Sequence, residues 1–351
     1  MSSPGVGRMG AAAIAALLLA ACAPDPVVVQ PTDPATTVQP DTSVERSAAP
    51  EPVVPDSWPL TGIEGEVTAR VAVAVKIENS SAARPQSGLE HADVVWEEMV
   101  EGGITRFNAV FNSSMPEGIG PIRSVRPMDA AIAAPLHGLL AFSGGQGVFI
   151  DQMIDAGLQV LDNDAGDPGM YRVSFRAMPH NVYGDVPVMA DAAHADRAVP
   201  PPQQFAFTFG QQEPSAAAGS PTARIDLGFP AASPGWEWSA GESAWLRSER
   251  GAPSYSADDV RLSAANVVVL RVRVTNDGGV DPAGNPIPVT HLEGEGEALV
   301  ASAGRSIEAR WTKGAADEVL ELVDGEGEEV LLEPGTTWVE LLPLESSMSV
   351  S

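Results

Sequence analysis

The chain has 351 residues, 44% of them hydrophobic, which is enough for two domains of ordinary size with buried cores. Its formal net charge of −27 creates a field that repels phosphate backbones, so nucleic acid is excluded as a general partner. A single cysteine, Cys22, rules out an intramolecular disulfide and a thiolate metal site.

The cysteine has a context. Arg8 precedes an apolar run over 11–20 that is too short to span a bilayer as a permanent helix. Leu19-Ala20-Ala21-Cys22 follows. This segment resembles a bacterial lipoprotein signal, in which a small residue stands before an invariant cysteine. The resemblance implies removal of residues 1–21, acylation of Cys22 with palmitate-type chains, and anchoring to the cell membrane on its extracytoplasmic face. Two or more acyl chains are enough to hold a protein on a bilayer. Residues 22–58 are rich in Pro, Thr and Ala, without a helical period, and read as a tether. As a flexible coil, a tether of about 36 residues spans roughly 30–35 Å. That length lets the folded part stand within the wall layer.

Residues 59–200 read as a mixed α/β domain. The run V-A-V-A-V-K-I-E over 71–78 predicts a strand. Residues 94–111 predict a hairpin turning on Gly102-Gly103, because both residues of a two-residue primed turn need positive φ. That register sets Glu101 opposite Ile104, Met99 opposite Arg106 and Glu97 opposite Asn108. Side chains alternate across a sheet, so one face carries Val94, Trp96, Val100, Thr105, Phe107, Ala109 and Phe111, with Glu98 as its one charge. The other carries Glu97, Met99, Glu101, Arg106 and Asn108. Pro127 and Asp129 suit the first turn of a helix reaching about His137. A strand over 139–142 runs into Ser143-Gly144-Gly145. A helix over 148–156 closes at Gly157. Then come a strand over 158–161, irregular chain over 162–176, a loop over 178–183 and a helix over 186–197.

Pro200, Pro201 and Pro202 mark a domain boundary. Residues 201–351 alternate short apolar runs with turn signals such as Asn276-Asp277-Gly278-Gly279 and Asp324-Gly325-Glu326-Gly327. This pattern predicts a mainly-β domain, a sandwich or barrel. Gly294-Glu295-Gly296-Glu297 reads as another turn. The fold class is therefore α+β overall: a mixed α/β domain followed by a mainly-β domain.

The polar residues with the most chemistry surround the hairpin. Residues 71–200 contain eight Lys and Arg, and four of these are Arg84, Arg106, Arg123 and Arg126. Guanidinium forks close to a helix N-terminus suit a carboxylate or phosphate. The structural alternative is internal pairing with Glu78, Glu97, Glu101 or Asp129. The candidate ligand-binding set is Glu78, Asn79, Arg84, Glu97, Glu101, Thr105, Arg106, Arg123, Arg126, Ser143, Gly144, Gly145, His180 and Asn181. No catalytic residue is assigned. Glu97 and Glu101 suggest an acid/base pair, but four residues along one strand separate their α-carbons by roughly 13 Å. The histidines lack zinc-ligand spacing, so no metal is expected. Ser143-Gly144-Gly145 lacks both the nucleophile elbow and the P-loop lysine, and no cofactor is expected.

At these residues the chain resembles a known family. V-K-I-E-N-S-S-A-A-R-P-Q-S-G-L-E-H-A-D-V-V-W-E-E-M-V-E-G-G-I-T-R-F, I-G-P-I-R-S-V-R-P, P-H-N-V-Y and P-G-T-T-W-V-E-L-L-P look like the YerB-like bacterial lipoproteins. These are two-domain envelope proteins, and the resemblance covers 58–343. Their pattern has Asp at the position of Glu78 and an aromatic at that of Met128. The resemblance implies architecture and location, not a reaction. The expected function is a membrane-anchored lipoprotein that binds an anionic cell-wall component or an envelope protein. Two alternatives are a cell-envelope hydrolase using Glu97, Glu101 or His180, and an assembly factor for another envelope enzyme.

Overall fold

Strands dominate because apolar β-branched runs recur between turn residues. The computed structural model describes residues 54–351. Cys22, the signal segment and most of the tether lie outside the described residues. Leaving aside two-residue ladders, the N-terminal half contains β1 (Val73–Glu78), β2 (Val94–Met99), β3 (Thr105–Phe111), α1 (Asp129–Ala133), β4 (Leu139–Phe142), α2 (Gly147–Asp155), β5 (Gln159–Asp162), β6 (Met170–Arg172), β7 (Val182–Gly184) and α3 (Val186–Asp191). The C-terminal half contains β8 (Arg224–Gly228), β9 (Pro234–Ser239), β10 (Ala244–Glu249), β11 (Asn266–Thr275), β12 (Val289–His291), β13 (Gly294–Ser302), β14 (Arg305–Lys313), β15 (Glu321–Val323), β16 (Thr337–Pro343) and β17 (Ser347–Val350).

One mixed sheet runs through both halves, in the order β15-β14-β13-β11-β16-β2-β3-β1-β4-β5. The joint is β16, parallel to both β11 and β2. A second sheet, with β10-β9-β8-β17 in that order, belongs to the C-terminal half alone. Alternate side chains of the central sheet feed two cores. Ala74, Val94, Trp96, Val110 and Val339 pack with Ile132, Phe149 and Met153 of the α1 and α2 layer. Val73, Val75, Val95, Phe107, Phe111 and Trp338 pack against Ile225, Trp236 and Trp245 of the second sheet. The strand-rich C-terminal half is therefore part of a shared layer, not a closed sandwich beside the first domain.

The hairpin departs from the expected register by one residue. Gly102 and Gly103 both have positive φ, as the turn requires. However, Val100 and Ile104 close the loop, so residues 101–103 form a three-residue turn. Trp96 now faces Asn108, and Glu98 faces Arg106. The expected apolar and polar faces are accordingly mixed. The physical reason is that both faces of β2 and β3 are buried, so the pattern is not that of a half-exposed ribbon.

Smaller differences follow the same logic. Gly294–Glu297 begins β13 rather than forming a turn. The helix expected over 186–197 ends at Asp191, with a separate short 3-10 turn at Ala195–Arg197. Residues 170–172, expected to be irregular, and 182–184, two of them in the expected loop, pair as the hairpin β6–β7.

Candidate functional site

Because successive side chains of β2 point to opposite faces, Glu97 and Glu98 begin two separate polar clusters. Glu97 faces the second sheet. It accepts hydrogen bonds from Thr105 Oγ1 (2.6 Å), Asn79 Nδ2 (3.1 Å) and Arg247 Nη2 (2.7 Å). Arg247, on β10, also reaches Glu249 at 3.3 Å. Arg84 lies at the rim, donating to the Asn79 side chain and carbonyl at 3.0 and 2.8 Å. The β2–β16 register sets Glu340 beside Glu97, and Trp236 Nε1 donates to it at 2.9 Å. Burial, and then the Glu97 charge, push the Glu340 carboxyl well above its ordinary pKa. Burial opposes the Arg247 charge, but Glu97, Glu340 and Glu249 outweigh it and raise that pKa. Glu97, Glu340 and Arg247 are all buried, so this cluster holds the layers together and is closed to a ligand.

The opposite face starts equally dry. Lys76 Nζ donates to Glu98 and to Asp129, and Asn108 Nδ2 donates to Asp129 at 3.0 Å. Burial, followed by the Asp129 charge, raises the Glu98 pKa to about 7 against the pull of Lys76. Two carboxylates buried with one ammonium are best satisfied when one carboxyl keeps its proton.

Toward the turn this face opens. Arg126 Nε donates to Glu101 Oε1 at 2.5 Å, and Arg106 Nη2 lies 3.9 Å from Glu101 Oε2. Arg106 Nη1 donates to the Ser124 carbonyl at 2.8 Å. Arg123 Nε and His180 Nδ1 converge on Glu78 Oε2, at 3.4 and 2.7 Å. The Nε atoms of Arg106 and Arg123 are buried and make no hydrogen bond among the described residues. Burial, and then the neighbouring Arg126 charge, pull the Arg106 guanidinium down to about 10, with Glu101 opposing. Three guanidinium groups thus share two carboxylates. Arg123 and His180 are each 25% exposed, so the group touches solvent.

The expected set is therefore divided. Glu78, Glu101, Arg106, Arg123, Arg126 and His180 come together on one face. Asn79, Arg84, Glu97 and Thr105 belong to the other cluster, so Arg84 does not join the remaining three arginines. Ser143 and Gly144 lie alongside, where Ser143 N–H donates to the Arg123 carbonyl and Val125 N–H to that of Gly144. A side chain at Gly145 would collide with Val125. The Gly144 amide points at Asp162, so this turn is not a vacant anion nest. Asn181 pairs with Arg172 at 2.9 Å instead. Arg247 and Glu340 were missed. Their only sequence signal is a charge beside apolar residues, Trp245 and Leu246 for Arg247 and Val339 and Leu341 for Glu340.

The acid/base pair is excluded by position. Glu97 and Glu101 lie in different clusters, and each is paired with arginine. A cavity of about 940 Å³ is lined by Thr222, Arg271, Ile307 and Met348 of the C-terminal half, away from both carboxylates.

Comparison with known proteins gives a consistent result. Residues 60–199 match the family model described as Protein of unknown function (DUF3048) N-terminal domain. Residues 225–339 match that of the DUF3048 C-terminal domain. The chain is similar to the Bacillus subtilis (strain 168) protein named "Putative lipoprotein YerB", with 27% identity over 88% of this chain and 92% of that protein. It is also similar to the crystal structure of YerB protein from Bacillus subtilis, at a TM-score of 0.70 and 25% identity, covering 84% of this chain and 99% of that one.

Proposed function

The chain belongs to the YerB-like family built from the DUF3048 N- and C-terminal domains, and we propose that it is an envelope lipoprotein that binds an anionic ligand. The name of its Bacillus relative supports the lipoprotein part, as does the Leu19-Ala20-Ala21-Cys22 sequence. Cys22 would carry the lipid and keep the folded unit at the extracytoplasmic face. The observation that carries the binding part is the buried Arg106. Its pKa is lowered by burial and by Arg126, and its Nε is without a hydrogen-bond partner among the described residues. An anion entering beside Arg123 would relieve that repulsion and supply acceptors in guanidinium geometry. A phosphate or carboxylate of a wall polymer has the required chemistry.

The test is calorimetric titration with inorganic phosphate and with glycerol phosphate. Saturable binding that weakens with added salt is expected, with at least about tenfold loss in Arg123→Gln, the size of one charge-assisted contact. Equal affinity in both proteins would remove the site. The hydrolase reading retains one observation, the imidazole of His180 held by Glu78 at 2.7 Å. It predicts turnover of a wall fragment by the wild-type protein and none by Glu78→Gln, whereas the binding reading predicts turnover by neither.

A further inference from the structure

The second sheet ends on an unprotected strand. β17 (Ser347–Val350) pairs with β8 on one side, and among the described residues nothing pairs with it on the other. Ser351 and Arg224 exchange both backbone hydrogen bonds, at 3.0 and 2.9 Å. Antiparallel partners alternate between bonded and non-bonded pairs. Val350, opposite Ile225, and Met348, opposite Leu227, therefore turn their N–H and C=O groups to the open side. Sheet proteins blunt such an edge with lysine, proline or a bulge. Here the register with β8 is unbroken, and residues 346–351 include no charged side chain and no proline. All four residues of β17 are exposed.

That edge borders a cleft. The cavity of about 940 Å³ is lined by Met348, Val350 and Ser351 and by no residue of β8, so it lies on the open side of β17. Its floor is the outer part of the central sheet, where Leu299 of β13 lies opposite Glu308 of β14. Ile225 and Leu227 face the core between the sheets, and their cross-strand partners Val350 and Met348 share that face. A strand added to β17 would lie about 4.8 Å farther on, over this floor. Charge defines its side chains. Glu297, Glu308, Asp324 and Glu326 line the cleft and form no ion pair among the described residues. Of the two lining arginines, Arg310 is paired with Glu295 at 3.6 Å, and Arg271 donates to the carbonyls of Leu344 and Ser346. The lining carries an excess of negative charge.

We propose that β17 takes an extended segment of a partner protein as an additional strand, with apolar and basic side chains of that segment facing the cleft. The free main-chain groups of Met348 and Val350 supply affinity, as in other strand additions. Val350, Met348 and Leu299 receive the apolar side chains, and the unpaired carboxylates receive the basic ones. A second copy of this chain is the less favoured occupant. Pairing β17 with itself about a two-fold axis would bring two acidic clefts together, in a chain of net charge −27. The inference is independent of the anion site, which is built from other elements in the N-terminal half.

The experiment uses the folded unit, residues 51–351, whose two cores draw on no residue before Leu60. A display library of short random peptides is panned against it, and synthetic copies of the enriched peptides are titrated by fluorescence anisotropy. Enriched peptides are expected to combine β-branched residues with lysine or arginine at alternate positions. Met348→Pro removes an N–H on the open side and leaves the ladder to β8 whole. It should weaken the peptide at least about tenfold without moving the thermal transition. If that variant loses its thermal transition, methylating alternate amide nitrogens of the peptide makes the same test from the other strand. Glu308→Lys should also weaken binding. A library that yields no binder, or a peptide held equally well after Met348→Pro or amide methylation, overturns the proposal. Dimerisation in sedimentation that Met348→Pro abolishes would assign the edge to a second copy and overturn it as well.

Discussion

The two faces of β2 solve the same problem in opposite ways. On the Glu97 face, Glu97 is matched by donors from three segments, and Arg247 closes the group by crossing from the second sheet, while Arg247 Nε and Glu340 Oε2 make no hydrogen bond among the described residues. On the Glu101 face, three arginines crowd two carboxylates, and the Nε atoms of Arg106 and Arg123 make no hydrogen bond among the described residues. Neighbouring residues on one strand thus begin a sealed cluster on one face and a partly open one on the other. The difference lies in stoichiometry and solvent access, not in residue type. Polar groups that are sealed from solvent specify the packing, whereas a cationic surplus at the rim is available to something else.

The strongest way to break this comparison is Arg247→Met. It would leave Glu97 buried without its arginine, next to Glu340, and Glu249 with only Arg84 at 3.8 Å. Removing one member of a buried ionic group costs about 3–5 kcal/mol. The midpoint of urea unfolding should fall accordingly with an unchanged slope. A loss below about 1 kcal/mol, the value of an exposed pair, would show that the sealed cluster does not hold the layers together.

The next effect is a pH dependence. The Glu98 carboxyl is raised from 4.5 to about 7 in the folded protein, so the folded state holds a proton that the unfolded chain has released. Its contribution to stability is complete below about pH 4.5 and is lost as pH rises through about 7. Glu340, also raised, acts in the same direction. A shift of this size corresponds to roughly 3 kcal/mol for a fully buried group. Glu98→Gln should flatten stability between these limits, as measured by urea unfolding at a series of pH values. An unchanged pH profile would mean that the carboxyl is ionised throughout and that Lys76 dominates the network.

Much of the architecture was legible because β-branched runs are long and their ends are marked. The runs 71–78 and 139–142 and the helix closed by Gly157 follow directly from local chemistry. The hairpin register was not legible. Inferring it required a single buried face, and β2 and β3 have two. Insertion of β16 between β11 and β2 pairs Thr337 with Val94, 243 positions earlier, and no local signal encodes such a pairing. The gathering of Arg106, Arg123 and Arg126 could be anticipated, since two lie in one loop ahead of a helix and the third on the adjoining hairpin. Arg84 could not be placed, because its partners, Asn79 and Glu249, include one from the other half of the chain. The same non-local pairing hid Arg247.

The smallest effect on stability sharpens the comparison most. Arg123 is partly exposed, and its one carboxylate, Glu78, retains His180 and Ser80 as partners when the guanidinium is removed. Arg123→Ala should therefore cost at most about 1 kcal/mol, as expected for a solvent-screened ion pair. Phosphate binding, in contrast, should be lost. The pair of measurements separates the faces: Arg247→Met destabilises a protein that still recognises the anion when folded, and Arg123→Ala leaves a stable protein that does not. An Arg123→Ala protein without a thermal transition would show that the rim arginines are as structural as those of the sealed face, and the anion site would fall with that result.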